Sequence, residues 1–219
     1  MKVFVAGATG ETGRRIVAEL VKRQIPTRVM VRNLELAKQV LPPEVELVVG
    51  DVLDKASIAI ADCDVMICAT GAKPSFNFTS PYMVDYIGTR NLVNIAKASS
   101  VKHFVFVSSL CVSKLFHPLN LFWLVLFWKK LAENYLKSSG VTYTIVRPGG
   151  LKNQDAVGGI VMAKADSLFE GSIPRTKVAQ VCVDSLFCQQ SQNQILEIVA
   201  TVDTPEQSLE TLIAALSNA

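Results

Sequence analysis

The sequence predicts an α/β fold, a doubly wound parallel sheet with helices on both faces and a small C-terminal substrate-side region. Three observations predict it: short, continuous, β-branched apolar runs; intervening stretches with apolar residues at helical spacing; and a glycine-rich turn at the first strand-to-helix junction. Continuous apolar strands alternating with helices imply a parallel sheet buried on both faces. Right-handed crossovers then put the site at the carboxyl ends of the strands.

The first strand is residues 2–6, an apolar run that ends in glycine. Over 13–24, Ile16, Val17, Leu20 and Val21 share one helix face, opposite Arg14, Arg15, Glu19, Lys22 and Arg23. Residues 27–32, 45–50 and 64–69 read as the second to fourth strands. A long helix covers about 81–98, and 103–108 is the fifth strand. A second long helix runs from about 121 to 138, stops at Gly140, and leads into a strand at 143–146. Beyond Gly150 the rhythm loosens. Residues 151–177 contain Gly158, Gly159, Gly171 and Pro174, so 151–194 reads as substrate-side loops and short helices, with a helix at 178–187. A last strand at 195–200 and a helix at 208–216 complete a single domain over 1–219.

Half of the 219 residues are apolar and 19% are charged, a globular composition. The formal net charge of +3 comes from scattered Lys and Arg, which argues against nucleic acid as a partner. Five cysteines without CxxC spacing read as buried thiols, and two histidines leave no metal site to build. Neither a signal peptide nor a transmembrane segment is expected, because the glycine motif follows Met1 closely and the apolar stretch 119–128 is too short to span a bilayer. A soluble, cytoplasmic protein is the expectation.

The turn is Gly7-Ala-Thr9-Gly10-Glu11-Thr12-Gly13, a GxxGxxG spacing. Bare glycines let the backbone approach a pyrophosphate, and the free N–H groups at a helix start bind its charge. An NAD-specific site would end the second strand with an acid that holds the ribose 2′-hydroxyl. Here that strand ends in Val31-Arg32-Asn33, and Arg14 follows the last glycine. Two guanidinium groups suit a 2′-phosphate, so NADP(H) is the expected cofactor.

These motifs, with Gly50-Asp51-Val52, Ala69-Thr70-Gly71, Val84-Asp85-Tyr86, Val107-Ser108-Ser109 and Arg147-Pro148-Gly149-Gly150, resemble the atypical short-chain dehydrogenase/reductases. The resemblance lies in the NmrA-like, NAD(P)H-binding group, nearest to biliverdin-IXβ reductase/flavin reductase and its plastid and cyanobacterial relatives. It implies a Rossmann-type domain in which Asp51 and Val52 meet the adenine. Ala69, Thr70 and Gly71 would pass the ribose, Ser108 would contact the cofactor, and Pro148 and Gly149 would pass the nicotinamide. Ser109 aligns with the family's active-site serine, and Lys129 with the lysine of its Tyr-x-x-x-Lys motif. The tyrosine position is Val125. Tyr135 is no substitute, since it lies about 15 Å along a helix axis from Val125.

Reduction of a ketone makes an alkoxide that needs a positioned acid. A conjugated acceptor spreads the incoming charge over its rings, and water can protonate it. The missing tyrosine therefore favours hydride transfer to a flat aromatic or tetrapyrrole acceptor. The other reading is a catalytically weak NADP(H)-binding redox sensor or scaffold. The apolar stretch 119–128 would wall an acceptor pocket, form a self-association or partner contact, or lie on a membrane surface.

Overall fold

The computed structural model, which describes residues 1–72, 78–121, 123–154 and 158–217, has the α/β architecture. Its first half runs β1 (Val3–Ala6), α1 (Glu11–Lys22), β2 (Thr27–Val31), α2 (Leu34–Val40), β3 (Glu46–Val49), β4 (Val65–Cys68), α3 (Thr89–Ala98) and β5 (His103–Val107). Then follow α4 (Val125–Ser138), β6 (Tyr143–Pro148), β7 (Gly150–Lys152), β8 (Ile160–Ala163), β9 (Ser172–Pro174), α5 (Arg175–Asp184), β10 (Gln194–Ala200) and α6 (Leu209–Ser217).

The main sheet has the order β3-β2-β1-β4-β5-β6-β10-β8, and β7 pairs with β9 in a small second sheet. Every pairing is parallel except β8 against β10. Strand alternation splits the core between the two faces. Val3 and Val5 join a buried cluster with side chains of α1, α5 and α6, while Phe4 and Ala6 join another with α3 and α4. The chain reverses direction across the sheet between β1 and β4, which leaves a crevice at their carboxyl ends.

The structure departs from the sequence reading in four places. The seven-residue helix α2 carries too little periodicity to be seen; the Asn33 side chain starts it by accepting the Leu36 N–H at 3.0 Å. The expected helix over 81–98 opens as a π-helix, Tyr82–Gly88, whose extra residue per turn an apolar period does not register. The helix expected from 121 begins at Val125. Trp123 and Leu124 have φ of 59° and 58°, and Asn120 Oδ1 accepts the N–H groups of Leu126 and Phe127 instead. Phe122, in the middle of the apolar stretch, lies outside the described residues, as do 155–157 in the expected loop region.

Finally, 151–174 holds strands where short helices were expected, and α5 starts at Arg175, directly after Pro174. Strands of three residues are too short to show alternation. Among the described residues, no helix is long and apolar enough to cross a membrane.

Candidate functional site

A cleft of about 270 Å³ opens at the ends of β1, β2 and β4 and the turn after β3. Gly7, Thr9, Gly10, Arg32, Asp51, Val52, Ala69, Thr70 and Gly71 all line it, with Met30, Ala72, Ser80 and Val84. Gly7 has φ 84°, and a Cβ there would lie 2.6 Å from the backbone of Ala69. Gly13 is buried under the turn, where a Cβ would meet the Gly7 carbonyl oxygen. Helix α1 begins without a side-chain cap, so the N–H groups of Glu11, Thr12 and Gly13 are left as anion donors. The turn at Asp51 is braced by Ser57, whose Oγ accepts the Asp51 N–H at 2.9 Å.

These features fit a dinucleotide: a cradle that any side chain would fill, an uncapped helix start, and an exposed arginine at the end of β2. Arg14 does not line the cleft; it pairs with Glu11 at 2.6 Å on the solvent side of α1.

Lys129 lines neither this cleft nor the second one. Its Nζ pairs with Asp85 Oδ1 at 2.9 Å, and Asp85 Oδ2 accepts the Ala72 N–H at 3.2 Å. Asp85, from the π-helix, is buried. A Cβ on Gly71 would lie 3.7 Å from the carboxylate and 4.0 Å from the ammonium, so the pair abuts the inner end of the cleft. The sequence motif contained Asp85, but nothing in it announced Lys129 as the partner.

A second cleft of about 430 Å³ lies beyond the ends of β5 and β6. Ser108, Ser109, Pro148 and Gly149 line it together with Leu110, Cys111, His117, Leu119, Leu151, Phe169, Glu170 and Arg175. The two serines differ. Ser108 Oγ donates to Glu133 Oε1 at 2.6 Å, whereas the Ser109 hydroxyl has no such partner among the described residues. His117 Nδ1 accepts the Leu119 N–H, 3.2 Å away. Burial pushes the Cys111 thiol above its ordinary pKa.

Beneath this cleft lies a charge network that sequence reading missed. Arg147 donates to Glu133 at 2.9 and 2.7 Å, to Glu197 at 3.0 Å and to Asp166 at 2.9 Å. Glu197 in turn accepts the backbone N–H groups of Asp166, Ser167 and Leu168. Burial pulls the pKa of Arg147 down, but its bonds to Glu133 and Glu197 outweigh that and hold it above the ordinary value. Among the described residues, no tyrosine lines either cleft, and Val125 opens α4 one turn before Lys129.

Comparison with known proteins agrees with this geometry. Residues 7–189 match the family described as NAD(P)H-binding. The chain is 44% identical to an uncharacterised chloroplast protein of Arabidopsis thaliana, over 98% of this chain and 82% of that one. It is 32% identical to the sanguinarine reductase of Eschscholzia californica, over 90% of this chain and 88% of that one. Against the chloroplast protein TIC 62 of Pisum sativum it is 35% identical over 98% of its own length, and spans 46% of that longer protein. A putative NAD-dependent epimerase/dehydratase from Bacillus halodurans superposes with a TM-score of 0.87 at 26% identity, covering 99% of this chain and 100% of that one. The chain thus binds a nicotinamide cofactor and belongs to the NAD(P)H-binding group of atypical short-chain dehydrogenase/reductases.

Proposed function

We propose that the protein is an NADPH-dependent reductase that delivers hydride directly to a flat conjugated acceptor: a flavin, a quinone or a biliverdin-type linear tetrapyrrole. The observation that carries this reading is that, among the described residues, no tyrosine lines either cleft, while the serine and lysine positions of the family are kept. When bound, the reduced nicotinamide supplies the hydride. The glycine turn and the start of α1 hold the pyrophosphate, Arg32 takes the 2′-phosphate, and Pro148 and Gly149 border the nicotinamide. Lys129, oriented by Asp85, holds the nicotinamide ribose. Ser109 orients the acceptor by hydrogen bonding, the apolar walls of the second cleft exclude water from its faces, and solvent delivers the proton.

The relative named sanguinarine reductase supports reductase chemistry. The chloroplast relatives support a plastid-type soluble compartment, and residues 1–219 act as one unit.

Steady-state NADPH oxidation tests this reading. FMN, a quinone or biliverdin should be reduced, with little activity on a simple ketone, and Ser109→Ala should slow turnover without abolishing it. General acid catalysis contributes about 10²–10⁴-fold where it operates, so brisk ketone reduction would mean another acid has replaced the tyrosine. A second reading, an NADP(H)-binding sensor or scaffold, is favoured by the exposed side chains of Leu115, Phe116, Leu119 and Leu121. NADP(H) binding without turnover of any flat acceptor would select it.

A further inference from the structure

We propose that Arg175 forms an anion-binding subsite in the second cleft, and that the acceptor taken there carries a carboxylate or phosphate. The inference rests on the reductase reading and names the substrate class for that site.

Arg175 lines the second cleft and not the first. Its Nη1 donates only to neutral acceptors, the Leu151 carbonyl oxygen at 3.2 Å and Asn153 Oδ1 at 2.9 Å. Among the described residues, its Nε is buried without a partner. No carboxylate pairs with it among the described residues.

The position itself works against a cation. Arg175 is the first residue of α5, where the helix dipole presents its positive end. Burial and the charges of Arg15 and Arg14 lower its pKa from the ordinary arginine value, with Glu11 opposing them. Glu11 is already engaged by both of those arginines. Among the described residues, this corner therefore holds three guanidinium groups around one carboxylate.

A half-buried, unpaired guanidinium with an idle donor is costly to keep unless an anion completes it. The rest of the cleft states what that anion is attached to. Leu110, Leu119, Leu151 and Phe169 supply apolar walls, and among the described residues Glu170 is the single acidic lining residue. Lys114 lies 3.5 Å from the centre of the Phe169 ring and adds positive charge at the rim. A flat ring system between those walls, with its acidic group at Arg175, satisfies both halves of the cleft.

Two pairs of compounds that differ only in their anion test this. FMN and riboflavin share one ring system, as do biliverdin and its dimethyl ester. Dissociation constants are measured by fluorescence quenching on protein saturated with NADP⁺, so no turnover is required. The anionic member of at least one pair should bind about tenfold or more tightly than its neutral counterpart, and the ratio should shrink with added salt. Arg175→Gln should bring that ratio close to one, and Arg175→Lys should restore part of it. The wild-type comparison stands without any variant, so a misfolded substitution leaves the test intact. Equal affinities within each pair in the wild type would overturn the subsite and leave the reductase reading in place. Loss of NADP⁺ affinity in Arg175→Gln, in step with the loss of FMN, would assign the residue to the dinucleotide and overturn the subsite. If none of the four compounds binds, the subsite falls, and the reductase reading then stands or falls on turnover of a quinone.

Discussion

Arg32 stands exposed at the rim of the first cleft, while its neighbour Asn33 is spent on capping α2. Glu35, the nearest acid in sequence, is turned toward Lys38 at 3.0 Å. NADP(H) should therefore bind more tightly than NAD(H). A hydrogen-bonded partner of a charged group is worth about 1.5–3 kcal/mol, and exposure to solvent puts Arg32 at the lower end, about tenfold in affinity. Titration of both cofactors against wild type and Arg32→Ala checks this; equal affinities in the wild type would end the assignment. Arg14→Ala should matter less, since Glu11 already holds that side chain. Residues of this kind were legible in the sequence because their chemistry depends on neighbours in the chain. The Lys129–Asp85 pair was not, because its members lie on different helices and meet only in the folded protein.

The π-helix is the element that ties helices α3 and α4 to the end of the cleft lined by Asp51 and Val52. It packs Gly88 so closely on Val52 that a Cβ would lie 2.6 Å from Val52 Cγ2, and one turn later Asn91 donates to the Val52 carbonyl oxygen at 2.8 Å. In Gly88→Ala two effects compete. Helix propensity favours alanine by about 0.5–1 kcal/mol, whereas overpacking a tight contact costs about 1–3 kcal/mol. Overpacking should win, with a lower Tm and weaker NADP⁺ binding as Val52 is displaced; urea unfolding and a cofactor titration measure the two. An unchanged cofactor affinity would show that Val52 does not touch the adenine. Strands and long helices were readable from periodicity. The π-helix, the late start of α4 and the three-residue strands β7 and β9 were not, because each depends on a local backbone choice that hydrophobic spacing does not encode.

Across the whole molecule, His103 sets the acid limit of stability. It is buried at the start of β5 beside Thr144, 2.9 Å away, and Thr144 spends its own proton on the Ser191 carbonyl oxygen. Burial lowers the His103 pKa from an ordinary 6.5 to about 4. The unfolded chain thus takes up a proton near pH 6.5 that the folded chain refuses until about pH 4. Stability is level above that window and falls as the pH drops through it, by about 3 kcal/mol in all. His103→Gln should flatten the decline between pH 7 and 4.5 in urea unfolding; the same decline in the variant would place its origin in other groups.

The buried guanidinium of Arg147 has a different kind of consequence. Removing any one member of a buried ion network strands the others at about 3–5 kcal/mol, while exchanging the whole set for apolar groups costs little. Arg147, Glu133 and Glu197 can therefore be replaced only in concert, which shields the floor of the second cleft from stepwise divergence. Leu119, Leu151 and Phe169, on the walls above it, carry no such mutual dependence. Lineages of this fold can retune the shape of the cleft one wall residue at a time over a floor that stays constant.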